Sequence, residues 1–425
     1  MIRQLYCYQL LDVIKNRSSC HVLAGGHSFA MSSLQKQLQK MKCPTLPPVG
    51  PSSSRSRRQA RDLTPATWQR YFASAQEVRL ESGDVFHVYR AGSAGPLLVL
   101  LHGGGYSGLT WSLFTEEIMS RVECQVLAID LRGHGETATA DEHDLSMERL
   151  VSDVNGVMCA LFGSDAPPTV LVGHSMGGAL AVHTAHAWSA GPLVGLVVID
   201  VVEGTALDAL SAMHTFLRGR PDHFRSVQNA IEWCLKSGAV RNSESARVSV
   251  PGQLKNLRTG VPATRDIASG LASAGGGSPT AGGAHPPADT IAEEEEGQEK
   301  DQESAEQQTV AHSPPSPTAD QPVYTWRIDL ASTEPHWQGW FRGLSPLFLS
   351  APAPKVLLLA GIDRLDRELS VGQMQGKFQI QVVPRSGHVV HEDVPDRVAG
   401  IVATFLIRQR LTHALDGFQT IPPGC

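Results

Sequence analysis

The 425-residue sequence contains only seven cysteines, and they are scattered along the chain. Their number is odd, and no two of them have the spacing of a CxxC pair. Disulfide-rich domains and structural zinc sites both need clustered cysteines. The pattern therefore excludes a disulfide framework and a zinc site, and it is typical of a protein from a reducing compartment.

The sequence also lacks long apolar runs and an excess of basic charge. No stretch approaches the roughly 20 apolar residues that a transmembrane helix requires, and no cleavage site for secretion follows the N-terminus. The net charge is −6, whereas a general nucleic-acid-binding protein needs a basic face. We therefore expect neither a membrane nor a nucleic acid among the partners. A hydrophobic content of 41% is enough for a globular core.

Residues 1–62 are predicted to form a disordered N-terminal extension. Residues 44–62 are rich in Pro, Ser and Arg, a composition that buries too little apolar surface to fold. We interpret the basic cluster there as a solvated linker, with a nuclear-import signal as the alternative; it consists of Arg55, Arg57, Arg58 and Arg61. Met31 is the expected start of the protein, so that residues 1–30 would not be translated.

A second segment, at about residues 255–322, is predicted to be a disordered insertion. Its centre is rich in glycine and proline and contains four consecutive glutamates, at 293–296. Such a segment cannot offset the entropy of ordering its backbone. The globular domain is therefore predicted to span residues 63–425, with this acidic insertion inside it.

Apolar runs bounded by turn residues recur along the globular part and alternate with helical patterns. Continuous apolar strands are typical of a sheet that helices cover on both faces. We therefore predict an α/β fold with a doubly wound, mostly parallel sheet. The predicted strands are residues 96–105, 124–135, 169–175, 193–204, 355–366 and 378–388, and the clearest helices are residues 145–161, 178–188 and 395–408.

Two further segments flank the insertion and do not fit the strand–helix rhythm. Residues 213–238 and 324–345 contain helical patterns, and the second is rich in tryptophan. We predict that they form a helical cap over the C-terminal edge of the sheet.

The stretch "LVGHSMGGALAV" places a serine between two glycines where a strand must turn into a helix. A sharp turn of this kind leaves little room beside Gly173 and Gly177 and lifts the hydroxyl of Ser175 clear of the backbone. The short G-x-S-x-G pattern also arises by accident in solvated turns. A nucleophilic role for Ser175 therefore requires a base and an acid at the ends of other strands.

His388 is the candidate base because it directly follows the last predicted strand. The order serine, acid, histidine is that of the α/β hydrolases. His391 is a nearby rival. The remaining candidates near the motifs, His134, His174 and His183, are interpreted as structural.

Two aspartates are about equally good candidates for the acid. Asp363 follows the strand that precedes the histidine, which is the commonest arrangement, with Asp366 close behind. Asp200 follows the strand directly after the nucleophile, which is the known alternative. Asp130 is a more distant candidate and is interpreted as a turn-forming residue.

The loop "HGGG", residues 102–105, follows an earlier strand and can supply one donor of an oxyanion hole. The backbone N–H of Met176, next to the serine, would supply the other. The loop lacks the ending of a P-loop and the spacing of a dinucleotide-binding motif, so a phosphate-binding role is disfavoured. Together these features predict a serine hydrolase.

Several long runs resemble the protein phosphatase methylesterase family of α/β hydrolases. Among them are "LLHGGGYSGLTW", "LVGHSMGGALAVHTA", "VVIDVVEGTALDAL" and "VGQMQGKFQIQVVPRSGHVVHEDVPD", and the similarity extends from Leu63 to the terminal "PPGC". The resemblance implies Ser175 as nucleophile, His388 as base and Asp200 as acid, with Asp363 as the fallback. It also implies that the N–H groups of Gly104 and Met176 hold the oxyanion.

The family's activity implies a substrate and partner for this chain. It is the demethylation of the C-terminal leucine methyl ester of the protein phosphatase 2A catalytic subunit, free or in its core enzyme, without a metal or other cofactor. The expected location is the cytoplasm, and also the nucleus if the basic cluster directs import. Four aromatic residues of the cap are candidate walls of the substrate channel, or else ordinary core residues: Trp326, Trp337, Trp340 and Phe341.

Two other functions remain as alternatives at this point. One is an esterase that acts on small acyl esters. The other is a non-catalytic binding protein that retains a hydrolase scaffold.

Overall fold

The computed structural model describes residues 62–274, 323–361, 365–415 and 417–421. The predicted extension (except for residue 62) and residues 275–322 of the predicted insertion lie outside this part of the chain. The described strands are β1 Ser74–Arg79, β2 Val85–Ala91, β3 Leu97–Leu101, β4 Gln125–Ile129, β5 Thr169–His174, β6 Leu193–Ile199, β7 His223–Phe224, β8 Leu254–Asn256, β9 Tyr324–Trp326, β10 Lys355–Leu359 and β11 Gln379–Val382.

Eight of these strands form one sheet in the order β1-β2-β4-β3-β5-β6-β10-β11. Strand β2 is antiparallel to both β1 and β4, and the other neighbours are parallel. All six predicted apolar runs contain a strand of the parallel part. The predicted doubly wound, mostly parallel sheet is therefore confirmed.

The described α-helices cover both faces of this sheet and one of its edges. They are α1 Ser112–Met119, α2 Met147–Phe162, α3 Met176–His186, α4 Glu203–Arg218, α5 Val227–Ser237, α6 Ser243–Ser249, α7 Ala263–Ala274, α8 Glu334–Phe341, α9 Leu344–Ser350, α10 Arg367–Met374, α11 Val390–Asp393 and α12 Pro395–Arg408. None of these helices is long and apolar enough to cross a membrane.

The central strands are apolar throughout because each side chain meets one of two cores. In β3, every residue is buried. Leu97, Val99 and Leu101 belong to the core on one face, and Leu98 and Leu100 belong to the core on the other. Since successive side chains of a strand point to opposite faces, both sets must be apolar when helices cover both faces.

The predicted cap is present, but it is not purely helical. Strands β7, β9 and β8 form a small antiparallel sheet in it, beside helices α4, α5, α7 and α8. Each strand has only two or three residues, too few for a visible alternation of apolar and polar side chains. The pairing also joins segments from distant parts of the sequence, so no local turn signal marks it.

The predicted start of the insertion at residue 255 is too early, because ordered chain continues to Ala274. Lys255 pairs with Thr325 of β9, and the side chain of Asn256 donates a hydrogen bond of 2.8 Å to Asp266 in α7. Ala263 is fully buried at the start of that helix. The polar composition of this segment concealed a structure that depends on pairing with β9.

Candidate active site

Ser175 is the single residue between β5 and α3, and its backbone has the unusual torsion angles φ 54° and ψ −120°. The two neighbouring glycines make this turn sterically possible. A Cβ atom at Gly173 would lie 2.0 Å from the carbonyl oxygen of Gly177, and one at Gly177 would lie 2.2 Å from that of Leu101. Both contacts are far below van der Waals distance, so the elbow can be built only with glycine at these positions.

His388 lies between Ser175 and Asp200 and bonds to both. The Ser175 hydroxyl is positioned to donate to His388 Nε2 at 3.0 Å, and His388 Nδ1–H donates to Asp200 Oδ2 at 2.9 Å. The second carboxylate oxygen, Oδ1, accepts the backbone N–H of Ala360 at 3.1 Å. A hydroxyl, an imidazole and a carboxylate in this chain can activate the hydroxyl as a nucleophile.

In the hydrogen-bonded series Ser175–His388–Asp200, the carboxylate is fully enclosed, whereas the imidazole is partly accessible. The Asp200 side chain is 0% exposed and that of His388 is 14% exposed. Burial strengthens the interaction between the carboxylate and the imidazole because little water competes with it. The carboxylate can therefore hold one tautomer of His388 and stabilise the imidazolium that forms when the serine loses its proton.

The other carboxylate candidates have different positions. Asp363 lies outside the described residues. Asp366 caps helix α10 by accepting the backbone N–H of Leu369 at 2.9 Å. Asp130 accepts the backbone N–H groups of Gly108 and Glu136, in agreement with its predicted turn-forming role, and burial raises its pKa to about 6.

The rival base His391 does not take part in the chain that contains Ser175. Its Nε2 atom lies 3.0 Å from the hydroxyl oxygen of Thr110, and its ring packs on Trp111 with 4.2 Å between the ring centroids. Burial is the main cause that holds the pKa of His391 well below its ordinary value. His391 is therefore a neutral core residue behind the site. His183 lies in α3, and burial lowers its pKa as well.

Two histidines interpreted as structural hold the loops of the site. His174 Nε2–H donates to the backbone carbonyl of His388 at 2.9 Å, and burial lowers the pKa of His174 to about 3. His134 Nε2 accepts the backbone N–H of Gly105 at 2.9 Å, and its pKa is lowered by burial to about 4. Both rings are thus neutral. The sequence placed them near the motifs but gave no signal for these contacts.

The two predicted oxyanion donors, Gly104 and Met176, line the same cavity as Ser175. Met176 is the first residue of α3, so its N–H has no partner within the helix. The N–H of Gly104 has no backbone partner within the described part of the chain. The next residue of the loop is held by His134, which fixes the orientation of Gly104. These N–H groups are available to a developing oxyanion.

A cavity of about 130 Å³ opens beside Ser175 and His388, under the cap. All four predicted channel residues are in its wall: Trp326, Trp337, Trp340 and Phe341. Two of the indoles are fixed by hydrogen bonds. Trp337 Nε1–H donates to the Thr333 hydroxyl at 2.8 Å, and Trp340 Nε1–H donates to the carbonyl of Leu145 at 2.7 Å. The cavity is thus a largely apolar space with a reactive constellation at one side.

Among the residues that the structure describes, no three His, Cys, Asp or Glu side chains are grouped so that they could hold a metal ion. The chemistry of the Ser175 constellation requires no metal, since the imidazole moves the proton and backbone N–H groups stabilise the charge.

Comparisons with known proteins agree with this architecture. A model of the alpha/beta hydrolase family matches residues 98–401. Protein phosphatase methylesterase 1 of Mus musculus is 51% identical over 409 residues, which cover 93% of this chain and 100% of that protein. The Homo sapiens protein of the same name is 50% identical over the same shares. The probable protein phosphatase methylesterase 1 of Caenorhabditis elegans is 41% identical over 89% of this chain and 86% of its own length.

Solved structures with low sequence identity share the fold. E-2-(acetamidomethylene)succinate hydrolase superposes with a TM-score of 0.53 at 17% identity, covering 79% of this chain and 100% of that chain. An esterase of M. tuberculosis gives a TM-score of 0.51 at 20% identity, covering 79% of this chain and 92% of that one. At such identities the likeness concerns the fold alone.

Proposed function

Because the chain belongs to the alpha/beta hydrolase family and, within it, to the protein phosphatase methylesterases, we propose that it demethylates a protein phosphatase. The specific substrate proposed is the C-terminal leucine methyl ester of the protein phosphatase 2A catalytic subunit, free or in its core enzyme. The observation that carries the proposal is the hydrogen-bonded chain Ser175–His388–Asp200 at the wall of an apolar cavity. An apolar cavity suits a leucine side chain beside the ester.

In the proposed mechanism, Ser175 Oγ attacks the ester carbonyl while His388 Nε2 takes the hydroxyl proton. The carbonyl oxygen becomes an oxyanion, which the N–H groups of Gly104 and Met176 stabilise. The tetrahedral intermediate collapses, the bond to the methoxy group breaks, and His388 gives its proton to the departing methanol. An acyl-enzyme then joins Ser175 to the substrate's terminal carbonyl.

Water completes the proposed cycle. His388 removes a proton from a water molecule that attacks the acyl carbonyl, and a second oxyanion forms in the same place. Its collapse returns the proton to Ser175 and releases a terminal carboxylate. Asp200 remains ionised throughout and accepts the Nδ1–H of His388. All catalytic groups in these steps are side chains or backbone N–H groups of this chain. We propose the cytoplasm as the location of the protein, with the nucleus as a second location.

The decisive experiment uses methylated phosphatase 2A core enzyme and follows the loss of the methyl group by mass spectrometry. The Ser175→Ala variant should lose turnover by about 10⁶-fold, as in other triad enzymes. It should also lose labelling by a fluorophosphonate probe. Ser211→Ala, an exposed serine of α4, is the matched control.

Two results would contradict this function. If the wild-type chain takes up no fluorophosphonate, the fold acts as a non-catalytic scaffold. If it is labelled but hydrolyses short acyl esters and not the methylated phosphatase, Ser175 serves another ester.

A further inference from the structure

Arg220 is a charged residue in an otherwise largely apolar cavity wall. Among the described residues that line the cavity, no other Lys or Arg and no Asp or Glu is present. The guanidinium carbon of Arg220 lies 3.7 Å from the ring centroid of Trp326. The indole is itself fixed, because its Nε1–H donates to the carbonyl of Pro221 at 2.8 Å.

Stacking on Trp326 uses the flat face of the guanidinium and leaves its edge unoccupied. The N–H donors of arginine lie in the plane of the group, in a fork that matches a carboxylate. No side chain or backbone oxygen in the described part of the chain accepts any of them, and no carboxylate there lies within ion-pair distance of Arg220. Burial lowers the pKa of Arg220, with the nearby Tyr106 opposing the change. A partly buried cation without an anionic partner is costly unless something else supplies the anion.

Gln253 also lines this cavity and has a side-chain donor without a partner in the described part of the chain. Gln253 is 6% exposed, and its Nε2 atom is buried without a hydrogen-bond partner within the residues that the structure describes. Its backbone is held in place, because the carbonyl of Gln253 accepts the N–H of Arg327 at 2.7 Å. Buried polar groups in proteins are nearly always paired. Two residues of one cavity wall therefore have side-chain donors for which a ligand can supply the acceptor.

We propose that Arg220 and Gln253 form an acid-binding subsite that receives the carboxylate side chain of a residue shortly before the esterified C-terminus of the substrate. The inference rests on the proposed function, which supplies a peptide as the acyl part of the ester. The carboxylate that binds Arg220 must belong to the peptide, because the other product of the reaction is methanol, which carries no charge. The subsite makes the chain selective for acidic peptide tails among leucine methyl esters.

The test compares acetylated alanine-based peptides that end in leucine methyl ester. Each carries a single glutamate, or a single glutamine, at one of the three positions before the leucine. At one of these positions, the wild-type chain should hydrolyse the glutamate peptide with a kcat/KM about 10- to 100-fold higher than that of the glutamine peptide. This ratio is in the range expected for a buried hydrogen bond to a charged group. Arg220→Gln should bring this ratio close to one, and Arg220→Lys should retain only part of it.

Arg218→Gln is the matched control, because Arg218 is the exposed last residue of α4, two positions before Arg220, and carries the same charge. It should keep the full preference for glutamate. Gln253→Leu should reduce the ratio by a smaller factor than Arg220→Gln, since it removes a neutral donor.

The ratio distinguishes recognition from a merely structural role, which would lower kcat/KM for both peptides alike and leave the ratio unchanged. That result, or a wild-type ratio near one at all three positions, would overturn the subsite. The peptide product, which ends in a free carboxylate, can inhibit the enzyme. If Arg220→Gln weakens this inhibition but leaves the glutamate-to-glutamine ratio unchanged, Arg220 binds the terminal carboxylate of the product, and the proposed subsite is overturned. Fluorophosphonate labelling and hydrolysis of the glutamine peptides by the wild-type chain test the esterase separately.

Discussion

Ser175 and Asp200 both have positive φ angles, of 54° and 56°, which non-glycine residues seldom adopt. A strained backbone of this kind costs about 1–3 kcal/mol per residue and persists only where its surroundings hold it. Here the adjacent strands do so. The N–H of Ser175 donates to the carbonyl of Ile199 at 3.0 Å, and the N–H of Asp200 donates to that of Leu358 at 2.7 Å. The sheet therefore fixes the backbone of both Ser175 and Asp200, the two residues whose side chains bond to His388.

Glu392 is a buried carboxyl group behind the active site, adjacent to His391. The hydroxyl of Thr110 bonds to its Oε1 atom, and that of Ser245 donates to Oε2 at 2.8 Å. Burial raises the pKa of Glu392 to about 7, although these hydrogen bonds oppose the change. Between pH 4.5, the ordinary value, and pH 7, the folded chain retains a proton that the unfolded chain releases. The contribution of Glu392 to stability therefore falls as the pH rises through this window.

The Glu392→Gln variant should lose this dependence, because an amide stays neutral and can make the hydrogen bonds of the protonated acid. Relative to the wild type, its free energy of unfolding should rise by about 3 kcal/mol between pH 4.5 and pH 7. Urea unfolding at several pH values measures this difference. The exposed Glu368→Gln is the control and should run parallel to the wild type. A parallel course for Glu392→Gln would show that Glu392 is ionised in the folded state.

At the scale of elements, Glu203 connects α4, the helix after β6, to α9 in the distant C-terminal part of the chain. Glu203 begins α4, and its carboxylate accepts the backbone N–H groups of Gly343 at 2.8 Å and Ser345 at 3.0 Å. These two donors lie at the start of α9, where N–H groups have no partner within the helix. A negative charge there is also favoured by the helix dipole. One side chain thus joins the start of α4 to the start of α9.

Replacing Glu203 by alanine should therefore lower the free energy of unfolding by about 1–2 kcal/mol, the usual cost of losing a helix cap. Glu334→Ala provides the control. Glu334 begins α8 but is exposed, and among the residues that the structure describes it pairs only with the exposed His214, so its loss should cost about 0.5 kcal/mol or less. Chemical denaturation of both variants makes the comparison. Equal losses would mean that Glu203 does not cap α9.

For the whole molecule, the sequence predicted the strands and the order of the reactive residues because those signals are local. An apolar run marks a buried strand, and the glycines around Ser175 mark the elbow. The choice between Asp200 and Asp363 depended on which strand end lies close to His388 in space. The spacing of residues along the sequence does not give that distance. Similarly, β8 pairs with β9, which is almost 70 residues later in the chain. What escaped prediction depends on contacts between distant segments.

The ion-pair network around Arg132 also depends on contacts between distant segments, because it joins three elements that are far apart in the sequence. The Arg132 side chain is 1% exposed and lies in the loop that follows β4. Its Nε atom donates to Asp153 of α2 at 2.7 Å, and its Nη2 atom donates to Asp84, before β2, at 2.8 Å. These hydrogen bonds help raise the pKa of Arg132, although burial opposes the change. The partly exposed Arg149 also pairs with both Asp84 and Asp153, so two guanidinium groups compensate the two buried carboxylates.

Arg132→Met should lower the free energy of unfolding by about 3 kcal/mol, because only the partly exposed Arg149 then remains to pair with the two buried carboxylates. Arg79→Met, an exposed position in the neighbouring hairpin, should change it by about 0.5 kcal/mol or less. Adding Asp84→Asn and Asp153→Asn to Arg132→Met should recover part of the loss, since the buried negative charges that have lost one of their two cationic partners are then gone. Urea denaturation of the four proteins measures the coupling between these positions. If the triple variant is no more stable than Arg132→Met, the arginine acts through its packing against Phe86 and not through its charge.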